Sequence, residues 1–288
     1  MRQKQLLVLL FGVALFAVFY FLMPTSPKDK KGTPAKTEQP INDQSLLLDA
    51  RKSLDSLQLL KLDSLEQQKG QATTVSQEIE VYKAFSKQWN SWGNFAVGGY
   101  YAEKIAELQP SGEAWSIAGT TFGEAFNQSQ DLLYKQYVAR KAIHAFEQAT
   151  ALEKDTVAHQ INEALMYIEL SSVDETVPPM TGAQKLMALD KAFPNNVRIN
   201  FTLVQLSMTR TRDFQKAIAR LEKLVVIPNL DTLNLLDANY MLLSCYQELG
   251  DKEKALLYFD KCIALAKFDP ELQAKIIQGK QEYNKNGK

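Results

Sequence analysis

From about residue 74 to 284, apolar residues recur every three or four positions, and the alternation that would mark strands is almost absent. Ile79, Tyr82, Trp89 and Trp92 mark one face of a helix that ends at Gly93. A second helix runs over 94–108 and stops before Gln109, Pro110, Ser111 and Gly112. Similar pairs follow: 113–127 with 131–153, 156–171 with 181–193, 197–210 with 213–227, and 232–249 with 251–266. Asp269, Pro270 and Glu271 supply a cap, a proline for the first helical position and a first-turn acid, so a last, mostly polar helix opens there. Short helix pairs at a period of roughly 34–45 residues predict an all-α solenoid of helical hairpins.

The pattern upstream is different. Residues 43–69 are leucine-rich and free of Gly and Pro, and they end at Gly70. Leu47, Ala50, Leu54 and Leu57 fit a heptad seam, but Lys61 and Ser64 take the next two places. The expectation is one helix, acting as a stalk or a short coiled coil with at most weak self-association. Residues 24–42 hold four prolines among Lys, Thr, Ser and Gly, a composition that buries no core and reads as a disordered linker. Residues 6–23 carry no charge, and thirteen of the 18 are Leu, Val or Phe. As a helix they reach roughly 27 Å, about a bilayer's hydrocarbon thickness. Insertion is favoured by about 4–8 kcal/mol. No small-x-small cleavage site follows, so residues 1–23 read as an uncleaved signal-anchor. Positive charge flanks the segment on both sides; the short N-terminal tail favours export of the rest, and a cytoplasmic orientation stays open.

Two of the hairpins carry specific motifs. Trp115, Ala118, Gly119 and Phe122 form W-x2-A-G-x2-F, and Ala142, Phe146 and Ala149 form A-x3-F-x2-A on the following helix. The last hairpin repeats the scheme with Leu242, Leu243, Tyr246, Gly250, Asp251, Ala255 and Phe259, and puts Cys262 where a small residue belongs. These residues resemble the tetratricopeptide repeat (TPR) family, in which small residues let two helices approach while aromatics fill the space between. The resemblance extends more loosely over about 200 residues. It departs at an enlarged turn over 171–179 and at about eleven extra residues near 127–137. It implies an all-α repeat domain over 74–284 that binds proteins, in the manner of single-span TPR proteins of the bacterial inner membrane with repeats in the periplasm. In that family the first helix of each pair lines the binding groove. Carried over, this gives Ile117, Thr120, Ile161, Asn162, Leu165, Leu203, Leu206, Tyr240, Met241 and Ser244 as partner-binding positions. These lack the Lys and Asn set of the family's carboxylate clamp, so a mixed apolar groove for a partner helix or peptide is implied.

Composition narrows the classes further. Lys and Arg number 33 and so do Asp and Glu, which leaves no electrostatic footprint for nucleic acid. Cys245 and Cys262 are too few for a disulfide framework and read as buried thiols, with a disulfide the other possibility. His144 and His159 are the two histidines, and no H-E-x-x-H, P-loop, G-x-S-x-G or Rossmann glycine pattern occurs. Gly98-Gly99 lacks the strand and spacing of a phosphate loop. No catalytic residue, cofactor or metal is expected. The two functional classes left are a membrane-tethered adaptor and a structural spacer within a larger complex.

Overall fold

The computed structural model describes residues 41–286. The signal-anchor at 1–23 and all but the end of the 24–42 linker lie outside them. The described residues form thirteen α-helices and one 3-10 turn, with no strand. In chain order these are α1 (Asp43–Lys52), α2 (Ser56–Gln71), α3 (Val75–Ser91), α4 (Phe95–Leu108), α5 (Gly112–Phe126), α6 (Leu132–Leu152) and α7 (Val157–Ser171). There follow α8 (Thr181–Ala192), α9 (Val197–Thr209), α10 (Phe214–Leu224), α11 (Thr232–Glu248), α12 (Lys252–Leu265) and α13 (Pro270–Asn286). Among the described residues no helix is long and apolar enough to cross a membrane.

From α3 to α8 each helix packs on the next, and from α9 to α13 likewise, while α8 touches α9 only sparsely. First helices also meet across hairpins, α5 on α7 and α9 on α11. This is an all-α helical-repeat arrangement, and its breaks are set by local chemistry. At the end of α3, Gly93 takes a φ of 78°. That lets Asn94 N–H return to Trp89 O and Gly93 N–H to Asn90 O, satisfying carbonyls that would otherwise end the helix unpaired. Gly250 repeats the device after α11 with a φ of 72°, and Asp251 then caps α12 by accepting from Lys254 N–H at 3.0 Å. Glycine tolerates this left-handed conformation because it has no Cβ.

The leucine-rich segment is two helices, not one. Asp55 accepts from Gln58 N–H at 2.8 Å, and the Gln58 side chain accepts from Asp55 N–H at 3.0 Å. This reciprocal box starts a new helix at Ser56 and cuts the heptad seam between Ala50 and Leu57. Leu57 is 78% exposed, whereas Leu46, Ala50, Leu62 and Leu65 are buried in the same core as Phe85, Trp89 and Tyr101. The segment packs on the hairpins, with α2 against α3 and α1 against α4. At the start of α1, Asp43 accepts from Tyr137 Oη at 2.6 Å. Lys141 pairs with Asp43 at 3.0 Å and with the buried Glu103 at 2.7 Å. Burial pushes the Asp43 carboxyl up, but the hydrogen bonds from Tyr137 and Lys141 outweigh it and hold the carboxyl below its ordinary range.

Both departures from the repeat pattern have a structural form. The extra residues near 127–137 are a short loop plus the opening turns of α6, a helix of 21 residues capped by Asp131. Tyr134 and Tyr137 pack against the core from those turns. In the 171–179 turn, Asp174 is buried and accepts from the Thr176 N–H and hydroxyl at 3.0 and 2.6 Å and from Arg140. Gln136 donates to Val173 O at 2.7 Å. The long turn is thereby folded back on α6 and its polar groups are met.

Candidate functional site: the inner cleft of the first helices

The implied partner-binding positions fall into two groups. Ile117 and Tyr240 are 53% and 55% exposed, and Thr120 is exposed as well. The others are committed elsewhere. Ile161 is 1% exposed and forms a core with Ala164, Leu186, Leu189 and Ile199. Leu165, Leu203 and Leu206 are partly buried against that core, and Met241 against the C-terminal one. Asn162 accepts from Arg198 at 2.9 Å, and Ser244 donates to Tyr240 O at 3.1 Å. Ile161 is therefore a packing residue between α7, α8 and α9. An apolar residue on a first helix has two possible sides, and the spacing alone does not tell them apart.

Ile117 borders a cleft of about 670 Å³. One wall is α3, with Lys83, Ser86, Lys87 and Asn90; the opposite wall is the start of α5, with Ser111, Glu113, Ala114 and Ile117; Ala102, Ile105 and Gln109 of α4 complete it. Ser86 donates to Gly98 O at 2.9 Å, which ties the α3 wall to α4. Lys83 is paired with Glu80 at 2.8 Å, and Lys87 has no such partner among the described residues. The cleft thus offers apolar surface from Ile105, Ala114 and Ile117, hydroxyl and amide groups around it, and one uncommitted cation. The α3 wall has no counterpart among the implied positions, because the first hairpin matches the repeat by period and carries none of its motif residues.

The motif side chains are core residues. Ala118, Phe122, Ala142, Ala149 and Ala255 are completely buried, and Trp115, Phe146, Tyr246 and Phe259 are nearly so. A Cβ added at Gly119 would lie 2.8 Å from Phe146 Cε1, so hydrogen is the largest substituent the α5–α6 contact admits. Gly98 and Gly99 do the same service in α4. A Cβ at Gly98 would strike the Asn90 side chain, and one at Gly99 the Phe122 ring at 2.9 Å.

The remaining chemistry is structural. Cys245 and Cys262 are free and buried, and burial pushes both thiols up to about 11. His144 stands edge-on to Trp115, centroids 5.7 Å apart. His159 is buried, and its Nε2 lies 3.2 Å from Glu153. The His159 hydrogen bond is the foremost cause that holds the Glu153 carboxyl below its ordinary range, and Thr156 adds to it. Among the described residues no group of His, Cys, Asp and Glu is placed to hold a metal ion.

Comparison with known proteins agrees with this architecture at its C-terminal end. No curated protein matches the chain in sequence. Among solved structures, a thermophilic TPR protein of Thermus thermophilus aligns over 69% of this chain and 97% of its own, at 14% identity and a TM-score of 0.43. Residues 236–269, which span most of α11, all of α12 and the turn to α13, match the model of the tetratricopeptide repeat.

Proposed function

We propose that this chain is a non-catalytic protein–protein interaction scaffold, tethered to a membrane by residues 6–23, which takes a partner helix or peptide into the cleft between α3 and α5. Tetratricopeptide repeats generally mediate protein–protein interaction. The observation that carries the reading is Ile117, a large apolar side chain left 53% exposed beside a cleft of about 670 Å³. A partner that covers Ile117 and Ile105 removes apolar surface from water, and the polar groups around them set its register. The repeats belong, on this reading, to the periplasmic side of a bacterial inner membrane, which suits an adaptor that recruits a partner at the envelope. Ile117→Asp in the full chain tests it. Partner capture should fall at least about tenfold, the usual cost of losing an apolar anchor, with helical circular dichroism unchanged. Capture that survives in a folded Ile117→Asp chain places recognition elsewhere.

A further inference from the structure

A second recess lies between second helices, separate from the inner cleft. Its volume is about 360 Å³, and it is formed by Asp190 at the end of α8, Pro194 and Asn195 in the following loop, Asn200 of α9 and one face of α10. That face presents Lys216, Arg220 and Lys223 in one line, with the exposed Ala219 between the lysines and Leu224 buried in the core beneath.

The three cations are not equivalent. Asp190 takes the Arg220 guanidinium through both oxygens, at 2.7 and 2.9 Å, and Asn200 Oδ1 accepts from it at 2.9 Å. Asn200 is itself buried and held by Pro194 O and Asn196 O, each at 2.9 Å. Arg220 is therefore fixed and its charge is matched in the middle of the recess. Lys216 and Lys223 are exposed and have no carboxylate partner among the described residues. Asp190 is the one acid of the lining, and it is spent on Arg220. The recess has a neutral, partly apolar centre and an unmatched positive charge at each end.

That distribution selects its ligand. The two lysines are seven positions apart, about 10 Å along α10. In an extended chain, side chains four residues apart share a face at about 13 Å, with the side chain two residues on lying between them. The flexible lysine stems take up the difference of about 3 Å. We propose that this recess docks an extended acidic peptide of a partner protein, in the pattern acid-x-apolar-x-acid. Lys216 and Lys223 each take one carboxylate, and the central apolar side chain rests on the exposed Ala219. A flat anionic membrane would satisfy the two lysines but would leave the apolar centre unfilled.

The purified full chain is titrated against a fluorescein-labelled, amidated peptide containing Glu-Thr-Leu-Thr-Glu, with Gln-Thr-Leu-Thr-Gln as control. The acidic peptide should bind saturably and release on adding salt, and the glutamine peptide should not bind. Lys216→Gln with Lys223→Gln, two exposed sites that leave the helix content intact, should weaken binding at least about fivefold. Ile117→Asp should leave it unchanged, which separates this surface from the inner cleft. Equal binding by the double variant, equal binding of the glutamine peptide, or loss of binding in Ile117→Asp alone overturns the proposal. So does binding of phosphatidylserine vesicles through the two lysines without binding of the peptide.

Discussion

Gly119 and Gly123 lie one turn apart on α5, so the same substitution at each isolates what the α5–α6 contact demands. Alanine in place of glycine inside a helix gains about 0.5–1 kcal/mol, because the unfolded chain loses conformational freedom. At Gly123 the new Cβ would meet only Met166 Sδ, at 3.4 Å, an ordinary contact. Gly123→Ala should therefore stabilise by that amount. At Gly119 the Cβ would stand 2.8, 2.9 and 2.9 Å from three atoms of the Phe146 ring. The ring is 2% exposed and packed on all sides, so it cannot step back without moving α6. Overpacking of this kind costs about 1–3 kcal/mol. Gly119→Ala should be destabilising by up to about 2 kcal/mol once its helix gain is subtracted. Gly119→Leu, with three more carbons to place, should cost about 3 kcal/mol or more. Urea denaturation followed by far-UV circular dichroism reads all three. If the two alanine variants shift the midpoint in the same direction by similar amounts, Gly119 is not the point of close approach.

Four further outcomes are expected. Lys141→Met should cost about 3 kcal/mol or more in denaturant, because it leaves the buried Glu103 carboxylate without its partner; adding Glu103→Leu should recover most of that. Leu65→Ala should cost about 2–4 kcal/mol, since α2 belongs to the core at 3% exposure of that side chain; a neutral result would return α2 to the role of a free stalk. The folded-state carboxyl of Glu153 is held low by His159 and Thr156, so its contribution is full above the ordinary value of 4.5 and is lost as pH falls through the lowered one. Glu153→Gln should accordingly flatten that part of an acid titration of stability, and an unchanged profile would show that Glu153 contributes nothing there. Cys245 and Cys262 should resist thiol reagents at neutral pH until the α11–α12 hairpin unfolds, given their burial and raised thiol values; prompt native-state labelling would show that this hairpin opens.

The helix pairs were legible because their punctuation is local. Gly93, Gly250 with Asp251, and the Asp269-Pro270 pair each end or begin a helix by their own backbone chemistry, and the pattern bounds agree with α3 to α13 within a few residues. The break at Ser53–Asp55 was equally local, an Asp-x-x-Gln box inside a leucine-rich run, but the heptad spacing of the leucines runs straight across it. What local pattern cannot show is which side of a first helix meets its neighbour. Ile117 and Ile161 are both apolar residues in the first turns of first helices, yet one is 53% exposed and the other 1%, because α7 packs its Ile161 side against Leu186 and Ile199. Long-range ionic contacts are hidden for the same reason. Asp43, Glu103 and Lys141 read as scattered surface charges until α1 is laid across α4 and α6.

The central proposal is that the cleft beside Ile117 takes a protein partner. It is tested most directly by a photo-crosslinking side chain placed at position 117 of the full chain in its native cells, with the same side chain at the exposed Leu257 as comparison. One discrete cross-linked protein from position 117, absent from position 257 and lost when Lys87→Glu is added to the opposite wall, is the expected result. The same products from both positions, or none from 117, would contradict it.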